Sequence, residues 1–258
     1  VGHEFISKWA RSFSAGATQF PNDEIGLGDL SLGTPSTPTS SENYDDKLLS
    51  FFARVNYSLL DKYLFTASVR ADGSSKFGKN NKWGYFPAFS AAWRLSEEKF
   101  IKNLNVFSDL KLRVGYGLAG NNRIDSYQSL AIMSSVTAAN GNGAQAGYAS
   151  NQVPNPDLKW EANKTFNLGM DFGFLNQRVT FSPEFYINRS SNLLLAAKLP
   201  YSSGYQNMII NAGETQNIGI DLTINTVNFT NKNFSWNTTV TLSHNKNKVN
   251  KQIGRAHV

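Results

Sequence analysis

The chain has 258 residues, a length that fits one large domain or two ordinary ones. Hydrophobic residues make up 40%, aromatic residues 13% and charged residues only 17%, a mixture that suits strands and turns better than helices. The net charge of +6 and the pI of about 9.4 raise nucleic acid as a partner, but the basic residues are scattered singly, and no nucleic-acid binding is expected.

No apolar run approaches the roughly 18 residues of a membrane-crossing helix, and the mean hydropathy is -0.36. A helical membrane protein is thereby excluded, while a strand-built one stays open because its strands hide their apolar character by alternation. The chain has no cysteine, so it has neither a disulfide framework nor a thiolate metal site. Its opening VGHEFISKWA lacks the basic start and apolar run of a signal peptide. Either the protein stays inside the cell or its true N-terminus lies elsewhere.

In chain order, Glu4–Ala15 reads as a strand of poor alternation. From Leu49 to Leu60 the odd positions Leu49, Phe51, Ala53, Val55, Tyr57 and Leu59 are apolar, with Ser50, Arg54, Asn56 and Ser58 between them. The same period-two pattern predicts strands over Tyr63–Arg70, Tyr85–Leu95, Leu110–Leu118, Phe166–Phe174, Val179–Ile187, Ile218–Ile224 and Phe234–Leu242. Pro183 interrupts one of them and predicts a local bulge.

Connection length separates a membrane barrel from a soluble sandwich. Asp61–Lys62, Leu175–Gln177 and Thr230–Asn233 are tight, whereas Gly73–Lys82, Ala119–Asp157 and Pro200–Ala212 are long, with Thr137–Ser150 the least patterned stretch. Ser96–Ser108 joins its pair through a predicted short helix in which Glu97 and Glu98 read as a solvated face. Short and long connections taking turns is the asymmetry of outer-membrane barrels, with tight periplasmic turns and large extracellular loops. Strands of ten residues or more and aromatics near strand ends (Tyr63, Trp83, Tyr85, Trp160 and Trp236) fit interfacial girdles. The expected fold is all-β: about 8–9 strands of an antiparallel transmembrane barrel. The competing reading is a surface carbohydrate-binding β-sandwich module.

Catalytic chemistry finds no foothold. None of His3, His244 and His257 has a second histidine at zinc spacing, and neither a phosphate loop nor a G-x-S-x-G elbow occurs. No catalytic residue, metal or cofactor is expected, and the chain does not read as an enzyme. Arg54, Arg70, Arg94, Lys111, Arg113, Asp171, Glu184 and Asp221 fall on the polar strand face and would point into a barrel lumen, either bracing it or lining a solute path. Phe77, Tyr127, Tyr148, Tyr201 and Tyr205 fall in the long loops, where they could touch substrate or partner or pack against the loops themselves.

Five stretches together resemble one family: YLFTASVRADGSSKFGKNNKWGYFPAFSAAWRLSEEKF (63–100), LKLRVGYGLAGNNRIDSY (110–127), NPDLKWEANKTFNLGMDFGFLNQRV (155–179), NAGETQNIGIDL (211–222) and HNKNKV (244–249). In this order and spacing they are similar to the barrel of SusC/RagA-type TonB-linked outer-membrane transporters. The resemblance implies a roughly 22-stranded, plugged barrel in the outer membrane of Bacteroidota, of the wide kind whose lumen is filled. It implies import of large nutrients, glycans or peptides, driven by the TonB complex, with a SusD-like surface lipoprotein over the loops and lipid around the wall. The family's plug, TonB box and final strands have no counterpart in this sequence, so residues 1–252 read as a partial barrel that would not transport alone. Residues 253–258 (IGRAHV) resemble a translated sequencing adapter and read as a non-native tail.

Overall fold

The structure is a computed structural model and describes residues 1–22, 28–139, 144–150, 152–205 and 207–252. The proposed tail, 253–258, lies outside the described residues. The strands are β1 (Gly2–Thr18), β2 (Thr34–Leu59), β3 (Tyr63–Ser74), β4 (Trp83–Arg94), β5 (Phe107–Asn121), β6 (Met133–Ala139), β7 (Ala144–Ser150), β8 (Glu161–Phe174), β9 (Val179–Ser191), β10 (Leu194–Lys198), β11 (Asn207–Asn211), β12 (Glu214–Thr230) and β13 (Ser235–Lys251). Among the described residues, nine of them form one antiparallel sheet in the order β1-β2-β3-β4-β5-β8-β9-β12-β13. Each segment that alternation marked as a strand is one of these nine.

The connections sort by end. Long ones join β1 to β2, β3 to β4, β5 to β8 and β9 to β12; short ones join β2 to β3, β8 to β9 and β12 to β13 at the other end. The β4–β5 connection lies at this second end and holds the expected helical turn, α1 (Lys99–Lys102). Two of the short turns are made by residues with left-handed backbones: Leu60 (φ 56°) and Asp61 (φ 53°), and Leu175, Asn176 and Gln177 (φ 53°, 55° and 66°). Positive φ at consecutive turn residues matches the right-handed twist of the strands they join.

The long loops hold strands that alternation does not predict. β6 pairs with β7, which lies inside the least patterned stretch while β6 starts before it at Met133, and β10 pairs with β11 over Leu194–Lys198 and Asn207–Asn211. The first pair is built largely of Ala, Ser, Gly and Thr, which give alternation nothing to show. Pro183 produces no bulge. β9 keeps one register with β12 through Pro183 opposite Leu222, while its pairing with β8 lapses over residues 182–183 and resumes unshifted. A proline offers no N–H to the ladder, and a local lapse absorbs the loss without displacing a residue. The register shifts lie elsewhere, at Ser14–Ala17, Phe107–Asp109, Glu214–Thr215 and Val227–Phe229.

One face of the sheet is apolar and yet exposed. In β2 the apolar Phe51 is 50% exposed while its polar neighbour Ser50 is 0% exposed. Val55, Tyr57, Phe65, Phe89, Val114, Tyr116, Leu168 and Ile220 share the exposed face by register. A water-soluble sandwich buries that face.

Candidate functional site

The eight charged residues expected on the polar face all occupy one face. Arg94 stands opposite Lys111, Lys111 opposite Asp171, Gly169 opposite both Arg113 and Glu184, and Glu184 opposite Asp221. Arg54 and Arg70 follow the same parity through Ser68 and Phe86. Cross-strand placement turns several into pairs. Arg113 donates Nε and Nη2 to the two oxygens of Asp171 at 2.9 and 3.1 Å, and Lys111 Nζ reaches the same carboxylate at 3.0 Å. Glu184 lies 3.7 Å from the Arg113 guanidinium, and Asp221 accepts from Ser243 Oγ. Gly169 makes room for this arrangement: a Cβ there would come within 2.9 Å of Arg113 Nη2.

A second cluster joins three strands. Arg70 donates to Asp72 at 2.7 Å, Glu4 at 2.9 Å and Ser50 Oγ at 2.9 Å. Arg54 donates to Asn56 at 3.2 Å, and Arg94 to the Asp61 carbonyl at 3.3 Å. Arg94 and Lys111 line a cleft of about 980 Å³ near the short connections, together with Glu97, Lys102 and Asp109. The polar face is thus a braced wall even at its turn end, where Glu97 lies 3.9 Å from Arg94 and 2.6 Å from Lys102 and Asp171 holds Lys111.

At the long-loop end the five aromatics diverge. Phe77 is 1% exposed: with Leu158 (0%) and Trp160 (9%) it forms a small core against Leu48, Phe86, Ile124, Leu194 and Ile209. Trp160 also leaves the interfacial set, since it packs on Phe77 and Phe86 and donates Nε1 to the Lys82 carbonyl at 3.0 Å. Tyr127 accepts from the Asp45 amide at 3.2 Å. Tyr148 is 79% and Tyr201 89% exposed, while Tyr205 is half-buried. No two of the five rings touch one another among the described ring contacts.

The core latches separate loops together. Asn155 donates to the Ile209 carbonyl at 2.8 Å, Asn211 accepts from the Lys159 amide at 2.8 Å and donates to the Lys159 carbonyl at 2.7 Å, and Lys76 bridges Asp46 and the Ile124 carbonyl. Gly78 passes so close to Pro156 that a Cβ would lie 2.1 Å from its carbonyl oxygen. Leu158, Asn155 and Asn211 were not singled out as site residues; the NPDLKW and NAGET stretches that hold them were the available signal.

At the short-connection end, Tyr63 and Trp93 stack with ring centroids 5.9 Å apart on the apolar face. Glu98 gathers their polar tips: it accepts from Tyr63 Oη at 3.0 Å, Trp93 Nε1 at 3.2 Å and Lys62 Nζ at 3.0 Å. Its side chain is 16% exposed, so the solvated reading fails for Glu98. Glu97 is half-exposed and paired to Lys102 at 2.6 Å. The Lys62 hydrogen bond, followed by those from Trp93 and Tyr63, holds the Glu98 carboxyl below the usual range. Trp83 and Tyr85 are exposed on the same face at the loop end, and Trp236 at the turn end.

The chain matches the family model for the β-barrel of TonB-dependent receptor-like proteins over residues 3–256. It is 39% identical to TonB-dependent receptor P3 of Formosa agariphila over 235 residues, 91% of this chain and 24% of that protein. It is 39% identical to the TonB-dependent receptor SusC of Bacteroides thetaiotaomicron over 214 residues, 80% of this chain and 21% of that one. The structure of the RagAB peptide transporter superposes with a TM-score of 0.83 at 29% identity, over 96% of this chain and 27% of the transporter chain. The chain therefore spans about a quarter of the length of these relatives. Receptors of this kind are not enzymes, and they lie in the bacterial outer membrane. The exposed apolar face, the sorted connections and these matches have one explanation: the chain belongs to the TonB-dependent receptor β-barrel family, on its SusC/RagA-like branch.

Proposed function

We propose that this chain is wall from the barrel of a TonB-dependent importer of large nutrients, with its polar face turned to the lumen and its long loops outside the cell. The observation that carries the reading is the pairing of an exposed apolar sheet face with connections sorted by length, on a backbone that superposes on the RagAB peptide transporter. Full assembly in this reading is a plugged barrel of roughly 22 strands coupled to TonB, as wide outer-membrane transporters are built. A SusD-like lipoprotein closes over the loops.

The lumen charges serve mainly as braces. Arg113 and Lys111 share Asp171, and Arg70 is divided between Glu4, Asp72 and Ser50, so these cations are already engaged and offer a passing solute little. Tyr148 and Tyr201 are the loop rings free to meet substrate or partner; Tyr127 and Tyr205 contribute behind them. The peptide transporter among the structural neighbours favours peptide over glycan as cargo.

Uptake decides this. Cells carrying the full-length receptor are offered labelled oligopeptides or oligosaccharides, with TonB present or deleted. TonB-dependent peptide accumulation is expected. Oligosaccharide accumulation alone would replace peptide by glycan, and uptake of either without TonB would sink the importer reading.

A further inference from the structure

The exposed apolar face does not end alike across the sheet. On its β8–β13 side, one row nearer the long connections than Phe166, Ile187 and Ile218, the outward side chains turn basic. Lys164 stands opposite Arg189, Arg189 opposite Gln216, and Gln216 opposite Lys248. Lys246 lies in the row beneath, opposite Ile218, and His244 beneath that, opposite Ile220. Toward β5 the row turns apolar at Leu118. With about 4.8 Å between neighbouring strands, Lys164, Arg189 and Lys248 span about 14 Å.

Lys164, Arg189, Lys246 and Lys248 are exposed, and among the described residues none is in an ion pair. Arg189 is held sideways by Gln216, its Nε donating at 2.9 Å. Glu214, one row farther out, accepts from Asn250 at 3.3 Å. The contrast with the other face is chemical: there Arg70, Lys111 and Arg113 each hold a carboxylate. A water-exposed strand end gains nothing from four like charges along one edge of an apolar belt. At a membrane boundary the same arrangement has a use, because lysine and arginine stems lie along apolar surface while their heads reach the headgroup layer, and the guanidinium fork matches a phosphate.

We propose that Lys164, Arg189, Lys246 and Lys248 form a binding site for the phosphate groups of an anionic lipid of the outer leaflet, whose acyl chains lie against Tyr116, Phe166, Ile187 and Ile218. The occupant is a lipid because the cations continue directly into the lipid-facing apolar surface. It belongs to the outer leaflet because they sit at the long-loop end, which is extracellular in such barrels. Cargo and TonB coupling play no part in this site.

The test uses the detergent-solubilised full-length receptor, offered a diphosphorylated glucosamine-disaccharide lipid or its dephosphorylated form, with bound lipid counted by native mass spectrometry. The phosphorylated lipid is expected to bind at least roughly tenfold tighter, with affinity falling as salt rises. The combined variant Lys164→Gln, Arg189→Gln, Lys246→Gln and Lys248→Gln is expected to lose that preference, and the charge-preserving variant K164R, R189K, K246R and K248R to keep most of it. Equal binding of the two lipids by the unmodified receptor overturns the site, whether or not the glutamine variant folds. So does full competition by millimolar inorganic phosphate, which would show a free-anion site, and so does a folded glutamine variant that retains the preference.

Discussion

Glu98 carries three donors on its two oxygens, and its consequences are local. Because Lys62, Trp93 and Tyr63 hold its pKa below the ordinary value for glutamate, the contribution is complete above that ordinary value and is lost as pH falls through the lowered one. Acidification below about pH 4 should therefore loosen the Tyr63–Trp93 stack, seen as a change in tryptophan emission of the full-length receptor; Glu98→Gln should show the loosened emission already at neutral pH. An unchanged spectrum in the variant would deny Glu98 this role. Trp160 is the second telling residue. Trp160→Ala should cost about 3–5 kcal/mol of local stability, read as faster proteolysis of the 152–160 and 194–211 loops. Both residues were visible in the sequence as types, and neither as a role. An adjacent acidic pair on a turn reads as solvated until its neighbours in space are known, and a tryptophan at a strand end reads as interfacial until Phe77 is found beneath it.

Turns and strands are the next scale. Leu60 takes a left-handed backbone with its side chain largely exposed, a conformation that costs a branched L-residue about 1–2 kcal/mol. Leu60→Asn should therefore raise resistance to urea by about 1 kcal/mol in the refolded receptor; a loss of stability would mean that Leu60 makes lipid contacts worth more than the strain. The strands of the sheet were legible because alternation is a direct consequence of one face meeting an apolar medium. β10 and β11 were not, since short loop hairpins answer to tertiary latches such as Asn155 on Ile209 and Asn211 on Lys159. The same limit explains Pro183: whether a missing N–H shifts the register or merely interrupts a ladder depends on the neighbouring strands.

At the scale of the whole molecule, adjacent residues on opposite faces give the sharpest contrast. Val114 is exposed on the apolar face, whereas a Cβ on Gly115 meets only the Phe89 carbonyl oxygen, at 4.0 Å. Val114→Arg should destabilise the full-length receptor in bilayers by about 2–4 kcal/mol, and Gly115→Arg by no more than about 0.5 kcal/mol. Urea unfolding from vesicles measures both, and equal costs would contradict the assignment of faces.

By itself the sequence determined the strands of the nine-stranded sheet, their two faces, the ends at which long and short connections gather, and the family. All of these follow from chemistry repeated along the chain, where each residue's parity suffices. Only the tertiary structure decided which charges are spent on one another, that Phe77 and Trp160 are core, and that Lys164, Arg189, Lys246 and Lys248 stand side by side. Those outcomes depend on register across strands up to about eighty residues apart in the chain, and local pattern carries no information about register at that range.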